Sequence, residues 1–429
     1  MVGEHIQVAE YPEGWKVQRV GDFAVVKGGK RLPAGTALTD KRTNHPYLRI
    51  VDFKDGRIDP SNLMFVPEDV FPRISRYTIS SQDVWISIVG TVGLVGLVDE
   101  ALDGASLTEN AAKICSIAPH VNKTFLALFL RSQAGREQIH AQTVGSTQSK
   151  LALFRIEDIL VPLPPIFEQC AIAHILGTLD DKIELNRRAN ETLEAMARTL
   201  FKAWFVDFEP VRAKLEGHWQ RGDSLPGLPA HLYDLFPDRL VDSELGEVPE
   251  GWRIGRISDY LSLAYGTSLP AGSRNSGNVP VYGSGGITGF HDVALVTGEA
   301  VIVGRKGTVG SLYWEQFSSF PIDTVFYVQP LVPLPFCYHL LESRPLRDMN
   351  TDAAVPGLNR QNVYRLEVAS PPQALVDTFS FLARRLRNQI FALQNETRHL
   401  TSLRDTLLPR LISGELRVPD AERIVGAAV

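Results

Sequence analysis

The sequence predicts an α+β protein made of two copies of one compact domain, held apart by a long antiparallel two-helix coiled coil and related by a pseudo-two-fold axis. Three observations predict it. First, "YPEGWKVQRVGDF" from Tyr11 to Phe23 returns as "VPEGWRIGRISDY" from Val248 to Tyr260, with Trp15, Arg19, Asp22 and Phe23 each answered 237 positions later. Second, the register continues: "LPAG" keeps that offset, "GTVG" recurs at Gly90 and Gly307 with offset 217, and a Pro-Pro pair recurs at Pro164 and Pro371 with offset 207. The falling offset places the lost residues in loops, where changing chain length costs little, and so long a period means duplicated domains rather than a solenoid. Third, each Pro-Pro pair opens a long stretch with apolar residues spaced three and four apart, a helical period.

In the first copy, residues 1–164, strand signals fall at "PYLRIVDF", "DVWISIVGTVGLVGLV" and "NAAKICSI", with a helical segment near Thr124 to His140. In the second copy, residues 248–371, they fall at "VPVYGS", "AVIVGRKGTVGSLYW" and "VFYVQP", followed by a helical segment from Phe336 to Met349. Short strands with glycine-rich turns, then a helix, describe a small α+β domain.

The first long helix, 165–208, carries the stripe Ile172, Leu176, Leu179, Ile183, Asn186, Asn190, Leu193, Ala197, Leu200 and Trp204. This is an a/d seam over more than four heptads, with two asparagines positioned to set register. The second, 372–415, repeats it with Phe379, Ala383, Leu386, Ile390, Leu393, Thr397, Leu400, Arg404 and Leu407. Both begin at a Pro-Pro pair, whose fixed φ suits a first helical turn and whose missing N–H costs nothing there. Net charges of −3 for Glu168 to Glu209 and +3 for Leu375 to Leu411 favour pairing with each other over self-pairing. Two separate amphipathic helices, each lying on its own domain, are the simpler alternative. An antiparallel pair delivers the chain from the first domain to the second and back, along a rod of roughly 60 Å for forty residues. Between the copies, 209–247 reads as a loop-like linker with Pro226, Pro229 and Pro237. Residues 416–429 form a C-terminal tail.

Composition excludes several classes. With 429 residues, 44% hydrophobic and 22% charged, the chain has the balance of a globular protein, and no apolar run reaches the roughly 18 residues of a membrane span. "MVGEHIQVAEYPEGW" lacks the basic and apolar regions of an export signal, so a cytoplasmic location is expected. Cys115, Cys170 and Cys337 are isolated, which excludes zinc spacing and a disulfide framework; they read as buried small hydrophobes. No Walker A, HExxH, CxxC or nucleophile-elbow pattern occurs, and neither a histidine cluster nor a carboxylate pair appears in both copies. The chain therefore reads as a binder with no metal site and no cofactor of its own.

Two related domains on a rod suit a target with two separated parts, as double-stranded DNA offers to paired readers. The net charge of −5 hides a basic stretch, Lys16 to Arg49, with eight basic residues against Asp22 and Asp40. After the shared "LPAG" the copies diverge into "TALTDKRTNH" and "SRNSGN". Lys27, Lys30, Arg31, Lys41 and Arg42 in one copy, and Arg274 and Asn275 in the other, are candidates for phosphate or base-edge contact. A solvated charged loop is an equal reading of the same residues. Beside "GTVG", Arg305 and Lys306 stand where the first copy has Ile88 and Val89; a tight hairpin is the simpler account, a phosphate-cradling nest the other. Trp15 and Trp252, fixed in register, read as core anchors.

The phrases "LPLPPIFEQ", "WFVDFEPVRAK", "SELGEVPEGW" and "LRDTLLPRLISGEL", in the order domain, helix, domain, helix, closely resemble the specificity subunits of type I restriction-modification enzymes over essentially the whole chain. The resemblance implies two inverted target recognition domains, each reading one half of a bipartite asymmetric DNA site, and helices that set the spacer. It further implies assembly with two modification subunits, which bind S-adenosylmethionine and methylate adenine, and with restriction subunits, which use ATP and Mg and cleave DNA; all catalysis lies in those partners. Where the first copy has "PPIFEQ" the second has "PPQALV", a departure from the pattern. The competing readings are a protein-protein scaffold built on the helical rod and, less favoured because motifs are missing, a self-sufficient DNA methyltransferase.

Overall fold

The repeated phrase is a turn followed by a cap. A computed structural model describes residues 11–54, 56–143, 150–349 and 357–426; the first ten residues, from which an export signal was judged absent, lie outside these. The Trp15 N–H donates to Pro12 O at 3.1 Å and the Trp252 N–H to Pro249 O at 3.0 Å. The intervening Gly14 and Gly251 sit at φ +91° and +81°, a left-handed backbone that glycine adopts without strain. One turn later the Arg19 N–H donates to the Asp22 carboxylate at 2.9 Å and the Arg256 N–H to Asp259 at 2.8 Å. Each carboxylate thus satisfies an N–H that the short helical turn leaves free. Phe23 and Tyr260 follow into the core.

The chain divides into two units, one within Met1–Leu185 and Thr397–Val429, the other Asn186–Glu396. Each is built on a four-stranded antiparallel sheet of the same order. In the first unit Val25–Gly28, Ala111–Cys115, Val84–Ser87 and Val95–Leu97 lie side by side. In the second the order is Leu261–Tyr265, Val325–Pro330, Ala300–Gly304, Leu312–Glu315. A two-stranded ribbon flanks each, Lys16–Arg19 with Leu160–Leu163 and Arg253–Arg256 with Glu367–Ser370. The expected helical segments appear as Lys123–Arg131 with Gln133–Ala141, broken at Ser132, and as Leu334–Glu342. Both "GTVG" phrases are hairpin loops joining antiparallel strands, as the simpler reading had it. The copies part in their second sheets: four strands with Pro46–Leu48 and Ala105–Leu107 parallel in one, three with Val279–Gly283 and Phe320–Pro321 parallel in the other.

The long helices run Ile166–Phe205 and Gln373–Ile412, both starting directly after their Pro-Pro pair. In the first unit Ile172, Leu176 and Leu179 share one buried core with Leu400, Leu407 and Leu411. There Arg404, at a seam position, reaches Asp180 at 2.9 Å. In the second unit Phe201 and Trp204 surround Phe379, with ring centroids 5.3 and 6.3 Å away. In each unit, therefore, an early half of one helix meets a late half of the other, which is antiparallel pairing. Asn186 is buried and donates to the Glu396 carboxylate at 2.8 Å, a polar lock of the kind that fixes helix register. Ile183, Asn190, Leu193, Leu386 and Leu393 are half-buried and Ile390 fully buried. Towards the ends the buried stripe widens, because the helices also pack on their sheets: Ala173 and Ile175 join Ile172 and Leu176 in the domain core.

Three expectations change. At the end of the first helix Phe201 is buried and Leu200 only half-buried, because Phe201 packs against Phe336 and Phe379 in the core of the second unit. The linker is not a loop: Glu209–Leu215 is helical and Leu240–Ser243 pairs with Gly246–Pro249 as a hairpin. Trp219, Leu232 and Phe236 from this segment are buried in the core of the second unit, so apolar burial overrides its prolines. Cys170 is exposed on the first helix, unlike Cys115 and Cys337. The tail is partly structured, as a helix Val418–Gly426 that buries Ala421.

Candidate nucleic-acid interface

In the first unit the candidate cations fall into two groups. Lys27 projects from an edge strand and is exposed. Next to it, Lys30 lies 5.6 Å from the Tyr77 ring centroid and Arg31 donates to Glu109 at 2.6 Å. Burial pushes Glu109 up, but the bonds from Arg31 and Thr108 outweigh it and hold the carboxyl below its usual range. Tyr47 donates to Lys30 O at 2.9 Å and, buried beside this group, has its hydroxyl pushed up to about 12. Lys41 and Arg42 occupy an exposed loop whose base is fixed by Thr39, Thr43 and the His45–Glu68 pair, 2.9 Å apart. Neither cation has an ion pair among the described residues.

In the second unit the candidates are placed differently. Arg274 is half-buried and its guanidinium donates to Thr288 O at 2.7 Å and to Leu269 O at 3.3 Å, so it braces its own loop. Asn275 is exposed, bonded through its side chain to Asp292 at 3.1 Å and through its N–H to His291. Arg305 donates to Asp323 O at 3.0 Å, and its Cζ stands 4.8 Å from the Tyr265 ring centroid. A second cation meets the same ring: Arg360 Cζ is also 4.8 Å away, with its guanidinium donating to Leu263 O at 3.4 Å. Lys306 is exposed next to them and pairs its backbone with Gly357. The loop after "LPAG", where the copies diverge, gives no sign of Tyr265 and Arg360 because both lie outside it. Comparing the copies position by position would have found them.

Residues 12–195 match the family model of the type I restriction modification DNA specificity domain. The HindI specificity subunit of Haemophilus influenzae is 26% identical over 396 residues, covering 74% of this chain and 83% of that protein. The MjaIX specificity subunit of Methanocaldococcus jannaschii is 23% identical over 451 residues and covers 96% of both. In fold, the type I restriction-modification S subunit of M. genitalium aligns over 95% of this chain and 97% of its own, with a TM-score of 0.59 at 17% identity. The chain carries a match to the type I DNA specificity domain and is similar along its length to type I restriction enzyme specificity subunits.

The domain model covers the first copy of this chain, and the MjaIX alignment reaches both. No helix among its described residues is long and apolar enough to cross a membrane. Its second unit also carries a groove of about 950 Å³ between Met196 and Ala203 on one helix, Leu382 and Leu386 on the other, and Pro226 and Pro229 of the connecting segment. Glu209, Arg385 and Gln389 are its polar points.

Proposed function

We propose that this chain is a type I specificity subunit, that each of its units reads one half of a bipartite, asymmetric DNA site, and that the paired helices set the gap between the halves while docking two modification subunits. The observation that carries the reading is one sheet frame built twice with different edges: the common strands hold each unit alike, and the loops after "LPAG" and the second sheets differ. Such a design matches unlike half-sites, with phosphate contacts for position and side chains at base edges for sequence. Lys27, Lys30, Lys41, Arg42 and Lys306 are exposed cations suited to it. Two helices of 40 residues each, about 60 Å at 1.5 Å per residue, suit a spacer. Exposed Met196 and Phe381 on the helices, with the groove beside them, suit partner docking.

On this reading the chain is non-catalytic and works in the cytoplasm. S-adenosylmethionine belongs to the modification subunits, and ATP and Mg to restriction subunits. Co-expression with its modification subunit, followed by single-base mapping of methylated adenines, tests the whole. The expected result is a split motif with a fixed gap; a complex shown to assemble that methylates nothing would sink it.

A further inference from the structure

The two units share backbone contacts down to single hydrogen bonds at one place and fill it with opposite chemistry. The Leu151 N–H donates to Ile88 O at 3.0 Å, and the Leu358 N–H to Arg305 O at 2.8 Å. Val89 bridges Lys150, and Lys306 bridges Gly357. These are the same pairs at offsets 217 and 207. Around them the first unit places Gly28, Ile88 and Leu153, with the Leu153 side chain 3.7 Å from where a Gly28 Cβ would stand. The second unit places Tyr265, Arg305 and Arg360 at the matching positions. An apolar contact in one copy is an aromatic ring with two guanidiniums in the other.

Such a pair of cations is costly without a ligand. Both guanidiniums lie within 4.8 Å of one centroid, so they stand within about one Debye length of each other at 0.1 M salt and repel. Neither, nor the adjacent exposed Lys306, has a carboxylate partner among the described residues. The Tyr265 ring face offsets part of the repulsion by cation–π attraction, and the carbonyls of Asp323 and Leu263 orient one guanidinium each. Tyr265 itself is 47% exposed, so the group opens to solvent. Two oriented, unneutralised forks and a lysine make a site for an anion with several acceptor oxygens.

We infer that Tyr265, Arg305, Lys306 and Arg360 form a DNA-phosphate grip present in the second unit and absent from the first. It rests on the DNA-reading proposal above. Arg305, Lys306 and Arg360 contact the backbone; Tyr265 is a positioning residue that holds the two arginines. The second domain therefore holds its half-site with a sequence-independent contact that the first does not make at this place.

The test uses the complex assembled with its modification subunit and two duplexes, one bearing the mapped methylation motif and one unrelated, over a salt series. R305Q/R360Q should lower the slope of log K against log salt by about two units on both duplexes, about one per cation removed, and leave the methylated motif unchanged. K306A, an exposed change that leaves the fold alone, should lower it by about one. Y265G, which installs the first copy's residue, should reduce the slope, and Y265F should restore it because it keeps the ring face. Parent slopes in R305Q/R360Q and K306A overturn the grip while leaving DNA reading intact. A changed base preference in the motif overturns the phosphate assignment. A parent complex without salt-dependent duplex binding overturns the DNA-reading proposal and this site with it.

Discussion

Gln169 and Val376 occupy the same place in the two copies, 207 positions apart, and solve it differently. Gln169 is buried; its carbonyl oxygen accepts from the Asn122 N–H at 2.9 Å and its amide donates to His120 O at 3.0 Å and Pro164 O at 2.8 Å. Val376 is buried in an apolar core with no such bonds to make. The departure of "PPQALV" from "PPIFEQ" is therefore internal packing in Gln169's case. Gln169→Leu should lower stability by roughly 1–3 kcal/mol for each buried group left without a partner, seen as a lower melting temperature. His339 is the second residue to test. Burial pushes its imidazole below the ordinary value of 6.5, against the opposing pull of Glu342 at 2.9 Å. The unfolded chain then takes up a proton that the folded one resists, so stability should be full above about pH 6.5 and fall as pH drops through the folded value. His339→Gln, with no proton to take up, should flatten denaturant midpoints measured between pH 7 and 5; an unchanged slope would remove His339 as its source.

At the scale of elements, two of the three phenylalanines of the second long helix have opposite duties. Phe379 is fully buried against Phe201, Trp204 and Phe336, whereas Phe381 is 63% exposed. Phe379→Ala should cost about 3–5 kcal/mol. Phe381→Ala should change stability by less than about 0.5 kcal/mol yet weaken co-purification with modification subunits, if the helices dock them. The helices themselves were legible: the Pro-Pro starts, the seam and the buried asparagine are local patterns. Their ends were less so, since the widened stripe and the burial of Phe201 in place of Leu200 depend on what each helix packs against.

For the whole molecule, spacing is the quantity to change. One heptad inserted between Leu185 and Asn186, and another between Glu396 and Thr397, keeps the seam in register and lengthens both helices by about 10 Å. Methylation mapping should then show both half-motifs unchanged and the gap longer by about three base pairs, at 3.4 Å each. An assembled complex that keeps its original gap removes the measuring role from the helices.

What the sequence by itself determined is everything encoded locally or by repetition: the duplication, the hairpins at "GTVG" and the two long helices. Each depends on backbone preferences and apolar spacing within a few residues. Only the tertiary structure decided how the cations are used. Arg31 meets Glu109 from 78 positions away, Arg274 turns inward to its own loop, and Arg360 joins Arg305 at Tyr265. It also decided that the proline-rich connector folds onto the second unit, where Trp219 and Phe236 are buried. A charged side chain carries no sign of its partner along the chain, because the partner is chosen by which strands the sheet brings together, and that choice is made by the buried core as a whole.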